Sequence, residues 1–135
     1  MKTCLVGCGG IAAVHGSVLT SGIDTEFVAA ADIKPEKAQS YAENFHTKPY
    51  PSLESMLEAE KPDVLHICTP HYLHVPMAIY SLERNINVFM EKPPAISFDQ
   101  LEELKKAAAK SEAQLVFCYQ KRDQLSSQSQ FICKR

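Results

Sequence analysis

Gly7-Cys8-Gly9-Gly10-Ile11-Ala12 fits the pattern G-x-G-x-x-G/A and lies directly after a short apolar run, Cys4-Leu5-Val6. Ile11, Val14, Val18 and Leu19 then recur at helical spacing until Thr20-Ser21-Gly22 stops them. In that strand–turn–helix setting the pattern is chemistry for a pyrophosphate. Gly7 permits the tight turn, Gly9 lets backbone approach the phosphates, and Ala12 lets the helix lie close on its strand. Gly10 and Ile11 open the helix, whose free N–H groups and dipole face the anion. Asp32 ends the second apolar run, twenty-three residues after Gly9. A carboxylate there accepts hydrogen bonds from adenosine ribose hydroxyls and repels a 2′-phosphate, which favours NAD over NADP. Lys34 offers a counter-charge two residues on and leaves NADP admissible. The plainer role for Asp32 is to cap the turn before Pro35.

The elements that must position these groups alternate along the chain. Phe27 to Ala31, Val64 to Cys68, Ile86 to Met90 and Leu115 to Tyr119 are further apolar runs. Between them run helical patterns. Pro35 opens one at its first turn, Ser52 caps a short second, and Val75, Ala78, Ile79 and Leu82 mark a third. Ser97 with Gln100 forms a capping box for the last, through Leu101, Leu104, Ala107 and Ala108. Strands apolar throughout and alternating with helices mean a parallel sheet covered on both faces. The expected fold is a doubly wound (Rossmann) α/β domain over residues 1–120, with 121–135 a polar tail or the start of something further.

Composition agrees. At 135 residues, 45% hydrophobic and 22% charged, the chain is one ordinary globular domain. A net charge of −2 gathers neither nucleic acid nor an anionic membrane, and no apolar run approaches the ~18 residues of a spanning helix. The five cysteines are an odd number with no CxxC pair, which points to a reducing compartment. Leu5-Val6-Gly7-Cys8 imitates a lipoprotein cleavage box, but the run before it is far shorter than the ~7–15 apolar residues of a signal. The expected location is the cytoplasm. Cys68, His71 and His74 have ligand-like spacing, yet Thr69-Pro70 interrupts them and no fourth ligand is local, so no metal is expected. His15 and His46 are read as structural or exposed.

Three segments together resemble the family of glucose–fructose oxidoreductase and inositol dehydrogenase, the Gfo/Idh/MocA oxidoreductases. Gly-Cys-Gly-Gly-Ile-Ala-Ala-Val-His, ending at His15, is similar to the family's first turn and helix. Cys-Thr-Pro-His-Tyr-Leu-His, residues 68 to 74, is similar to its Thr-Pro-Asn-x-x-His signature, with His71 where Asn is usual. Val-Phe-Met-Glu-Lys-Pro, residues 88 to 93, matches its Glu-Lys-Pro motif. Gln120-Lys121-Arg122 resembles its Gln-Asn-Arg, and Asn85 replaces a usual Gly.

The resemblance implies a nicotinamide oxidoreductase acting on a sugar, polyol or related hydroxyl compound. It implies that the loop at Thr69 and Pro70 runs beside the dinucleotide near the nicotinamide ribose, and that His74 is among the cofactor-binding residues. Glu91 and Lys92 would sit at the nicotinamide end, with Lys92 the catalytic group reaching the substrate oxygen. An ammonium there stabilises charge that grows on oxygen as hydride moves. A homo-oligomer is compatible with it. Family members continue into a second, substrate-holding domain that residues 123 to 135 cannot contain. The chain therefore reads as a cofactor domain alone, and a second reading stands beside the enzyme: a nucleotide-binding module without turnover.

Overall fold

Each long apolar run becomes a strand of one sheet. The computed structural model describes residues 1–22, 24–118 and the backbone of 132–133. Its strands are β1 (Lys2–Val6), β2 (Glu26–Ala31), β3 (Lys48–Tyr50), β4 (Val64–Ile67), β5 (Asn87–Met90), β6 (Leu115–Phe117) and β7 (Ile132–Cys133). The order is β3-β2-β1-β4-β5-β6-β7, parallel except for β7, which pairs antiparallel with β6. The helices are α1 (Gly10–Ser21), α2 (Pro35–Phe45), α3 (Leu53–Glu60), α4 (His74–Leu82) and α5 (Phe98–Lys110), with a 3-10 turn over His71–Leu73. This is the doubly wound arrangement the alternation predicts.

The strands are apolar on both faces because both faces are covered. Leu5, Ala12, Ala30, Tyr41 and Cys68 form the core under α1 and α2. Cys4, Val6, Ala31, Met56, Leu65, Ile67, Leu82 and Met90 form the larger core under α3, α4 and α5. Ser52 accepts from the Ser55 N–H and Ser97 from the Gln100 N–H, capping α3 and α5 as expected. The Gln100 side chain reaches back to the Ile96 N–H, one residue before the cap itself. Asn85 takes the left-handed conformation (φ 55°) that its place after α4 requires.

Two features escape the sequence patterns. β3 is three residues, Lys-Pro-Tyr, at the sheet edge where a proline costs no ladder bond. Gly16 lets α2 lie against α1: a Cβ there would stand 2.5 Å from the Tyr41 hydroxyl and 2.6 Å from the Phe45 ring. Tyr41 in turn donates its hydroxyl hydrogen to the Ala12 carbonyl at 2.7 Å, pinning α1 where the glycine loop ends. Residues 119–131, 134 and 135 lie outside the described residues, and with them the Gln120-Lys121-Arg122 likeness and most of the expected tail.

Glu60, 5% exposed, ties three elements together. Its Oε1 accepts from Lys48 Nζ at 2.9 Å and from the Tyr50 hydroxyl at 2.7 Å, while Oε2 lies 3.0 Å from Lys2 Nζ. The bonds from Lys48 and Tyr50 hold its carboxyl down at about 2. A carboxyl depressed in the folded state contributes stability above its ordinary range, and that contribution is lost as pH falls. The urea midpoint is therefore expected to drop between about pH 4.5 and 2. Glu60→Gln should cost roughly 1–3 kcal/mol at pH 7 and flatten that acid limb. An unchanged acid limb in the variant would remove Glu60 as its source.

Candidate functional site

Register brings the candidate groups to one edge. Val6 pairs with Ala31 on one side and with Ile67 on the other, and Ile67 pairs with Met90. The residues that follow these four, Gly7, Asp32, Cys68 and Glu91, therefore emerge side by side at the carboxyl ends of the strands. The strand order reverses between β1 and β4, which is where doubly wound sheets open a ligand crevice. A cleft of about 640 Å³ lies there, lined by Gly7, Gly9, Asp32, Lys34, Thr69 and Pro70 among others.

Gly7 has φ +92°, and its N–H donates to the Ala31 carbonyl at 2.8 Å. A Cβ on it would stand 2.7 Å from both the Cys68 carbonyl carbon and the Thr69 nitrogen. Only glycine fits between β1 and the loop after β4. Gly9 and Gly10 differ: a Cβ on either meets nothing within 4 Å. That open space lies beside the amino end of α1, whose first N–H groups have no partner within the helix. Ile11 is half-buried, and Ala12 is fully buried against β1 and β2.

Asp32 closes the turn before Pro35, its plainer expected role, and also braces the glycine loop. Its Oδ1 accepts the Lys34 N–H at 2.9 Å, closing the turn before α2. Its Oδ2 accepts the Cys8 N–H at 2.8 Å, bracing the glycine loop from the next strand. Each oxygen keeps lone-pair capacity for a further donor. The Cys8 thiol beside it is pushed up to about 12 by burial and by the Asp32 charge, so it is no nucleophile. Beyond Asp32 the cleft walls are apolar, with Ile33, Leu53, Tyr72, Leu73 and Met77. Ile33 and Tyr72 are 89% and 62% exposed, large apolar surfaces facing an open cleft.

At the other end, Thr69 Oγ1 is buried with no hydrogen-bond partner among the described residues. Lys92 is exposed. Glu91 is buried, 7% exposed, and its Oε1 lies 2.9 Å from His15 Nε2. His74, counted among the cofactor-binding residues by its motif, has no exposed surface at all. Its Nδ1 lies 2.8 Å from the Pro93 carbonyl and its Nε2 3.0 Å from the Thr69 carbonyl. It spans from one loop to the other beneath the cleft, and both nitrogens are spent on backbone. Cys68 faces the core under α1, and its thiol is pushed up by burial. His71 is exposed, its ring edge-on to His74 at 5.5 Å.

A family profile described as an oxidoreductase family with an NAD-binding Rossmann fold matches residues 1–119. The chain belongs to the Gfo/Idh/MocA oxidoreductase family. It is 32% identical to the D-glucoside 3-dehydrogenase of Escherichia coli over 130 residues, 95% of this chain and 37% of that enzyme. It is 29% identical to the glucose-6-phosphate 3-dehydrogenase of Bacillus subtilis over 107 residues, covering 79% of this chain and 30% of the relative. The WlbA dehydrogenase of Bordetella pertussis, solved with NADH and UDP-GlcNAcA, superimposes with a TM-score of 0.83 at 30% identity. That match covers 87% of this chain and 37% of the other. This Gfo/Idh/MocA chain thus spans 30–37% of the length of these relatives, their NAD-binding part.

Within the family domain the sequence missed two side chains that the structure brings to the site from below. His15 and His66 meet at 2.9 Å through their Nδ1 atoms, from α1 and β4. The readable signal was the alternation in β4, which puts His66 on the face opposite Leu65 and Ile67. Nothing in the spacing showed that α1 would place His15 over it. Among the described residues no helix is long and apolar enough to cross a membrane, and no group of His, Cys, Asp and Glu is arranged to hold a metal ion.

Proposed function

We propose that this chain is the dinucleotide-binding part of an NAD-dependent oxidoreductase that moves hydride between nicotinamide and a sugar, polyol or related hydroxyl compound. The observation that carries it is the shared strand edge. Gly9, Gly10 and the α1 amino end lie at its centre, Asp32 on one side and Lys92 on the other. The Gly7–Ala12 loop holds the pyrophosphate, and Asp32 takes the ribose hydroxyls through its remaining lone pairs. The apolar walls at Ile33 and Tyr72 suit an adenine. The partnerless Thr69 hydroxyl fits a polar atom of the ligand beside Pro70.

Bound nicotinamide supplies the hydride donor or acceptor. The chain's own contribution is the Lys92 ammonium, which donates to the substrate oxygen and stabilises the charge that develops there. Glu91 and His74 act from beneath, on the backbone around Lys92. The relatives named for sugar dehydrogenation support a sugar as the substrate class. Cys4, Cys8, Cys68 and Cys118 are free thiols, which supports a reducing compartment such as the cytoplasm.

NADH is expected to bind this chain more tightly than NADPH, read by nicotinamide fluorescence. Asp32→Ala should weaken NADH by roughly 1–3 kcal/mol, since ribose hydroxyls lose their acceptor. NADPH should suffer less, because the same change removes a repulsion. Equal or reversed affinities in the parent would remove the case for NAD.

A further inference from the structure

Lys92 is exposed, and its ammonium has no hydrogen-bond or ion-pair partner among the described residues. A carboxylate stands one residue away, and an unengaged carboxylate takes such an ammonium as its counter-ion. Here Glu91 is engaged on both oxygens. The Lys92 backbone N–H donates to Oε2 at 3.3 Å, and His15 Nε2 lies 2.9 Å from Oε1. A carboxylate only accepts, so the His15 proton sits on Nε2. His15 is itself buried at 8% exposure, and its Nδ1 meets His66 Nδ1 at 2.9 Å. His66 lies on the Phe89 ring, with centroids 4.7 Å apart and planes 22° from parallel, and His15 meets the same ring edge-on. Burial, reinforced by His15, holds His66 down at about 3, so it is neutral at pH 7.

We propose that His15 is a positioning residue: it holds the Glu91 carboxylate under the sheet edge and away from the Lys92 ammonium, which stays free for a substrate oxygen. The inference rests on the reading of Lys92 as the group at the reacting end. His15 is on the helix that starts at the glycine loop. The brace therefore also ties that loop to the segment bearing Lys92, across β4 and β5.

Two amides separate this role from mere filling of space. Glutamine at position 15 places an N–H where Nε2 now lies and reaches Glu91. Asparagine is shorter and stops at His66. The rate of Lys92 acylation by a water-soluble active ester is read by mass spectrometry, with Lys105 and the thermal unfolding midpoint as controls. His15→Asn is expected to slow Lys92 labelling about three- to fivefold, the fold-change of an exposed ion pair newly formed with Glu91. His15→Gln should label within about twofold of the parent, and His15→Asn combined with Glu91→Gln should regain the parent rate. Equal rates in the Asn and Gln variants, or slow labelling that survives Glu91→Gln, would overturn the proposal. NADH titration of the parent keeps the two readings apart: failure to bind sinks the dinucleotide reading and leaves the labelling result standing.

Discussion

Gly7→Ala is expected to destabilise the folded chain by about 2–6 kcal/mol and to abolish NADH binding. Two costs add. A side chain at φ +92° holds a strained backbone, worth roughly 1–3 kcal/mol. The new methyl also stands 2.7 Å from the backbone at Cys68 and Thr69, where no side chain can swing aside. Relief requires β1 to part from the loop after β4, an overpacking cost of roughly 1–3 kcal/mol. That movement also widens the crevice and disturbs the Gly7 N–H bond to Ala31. Gly9→Val gives the opposite pattern. Its Cβ meets no protein atom within 4 Å, so the stability cost should be only about 1 kcal/mol, that of a poorer helix N-cap. It fills the space a pyrophosphate needs, so NADH should weaken at least about tenfold, as loss of well over 1 kcal/mol of contact implies. Urea unfolding and fluorescence titration on the two variants make the comparison. A Gly9→Val chain that binds NADH like the parent would show that no phosphate passes over that glycine.

The contrast explains what could be read in advance. Gly7, Gly9 and Asp32 were legible because a strand, a tight turn and a helix follow one another within a few residues. Local order there dictates the geometry. The doubly wound fold was legible for the same reason, since the strand runs are apolar throughout and α3 and α5 carry their own serine caps. β3 was not legible: three residues containing a proline carry no period, and only pairing with β2 makes Lys48–Tyr50 a strand. Gly16 looked like any helical glycine until α2 was laid across it. His15 and Glu91 are 76 residues apart in sequence, and their meeting depends on the register of β4 and β5 between them. Partners of that kind are set by tertiary packing, which no local pattern reports.

His74 is a motif residue whose role depends on where its ring lies. Its place in Thr69-Pro70-His71-Tyr72-Leu73-His74 implies a cofactor-binding residue. In the structure the ring has no exposed surface, and both nitrogens lie against the Thr69 and Pro93 carbonyls. Both partners are carbonyl oxygens that only accept, so the hydrogen in either bond comes from the ring. His74→Ala removes the donor from two part-buried carbonyls and opens a cavity, and should cost about 3–5 kcal/mol. His74→Leu fills the volume and still leaves the carbonyls unpaired, so it should lie near the alanine variant. His74→Gln retains an amide donor for one carbonyl and should fall between them and the parent. A ring contacting the dinucleotide would lose NADH affinity in all three variants while stability changed little. A ring holding two loops from beneath loses stability first. NADH affinity, measured well below the unfolding midpoint, should then stay within about threefold, less than the loss of one net hydrogen bond. Urea midpoints in the order parent, Gln, then Leu and Ala would place His74 under the site rather than in it. A leucine variant as stable as the parent would show that those carbonyls have other donors.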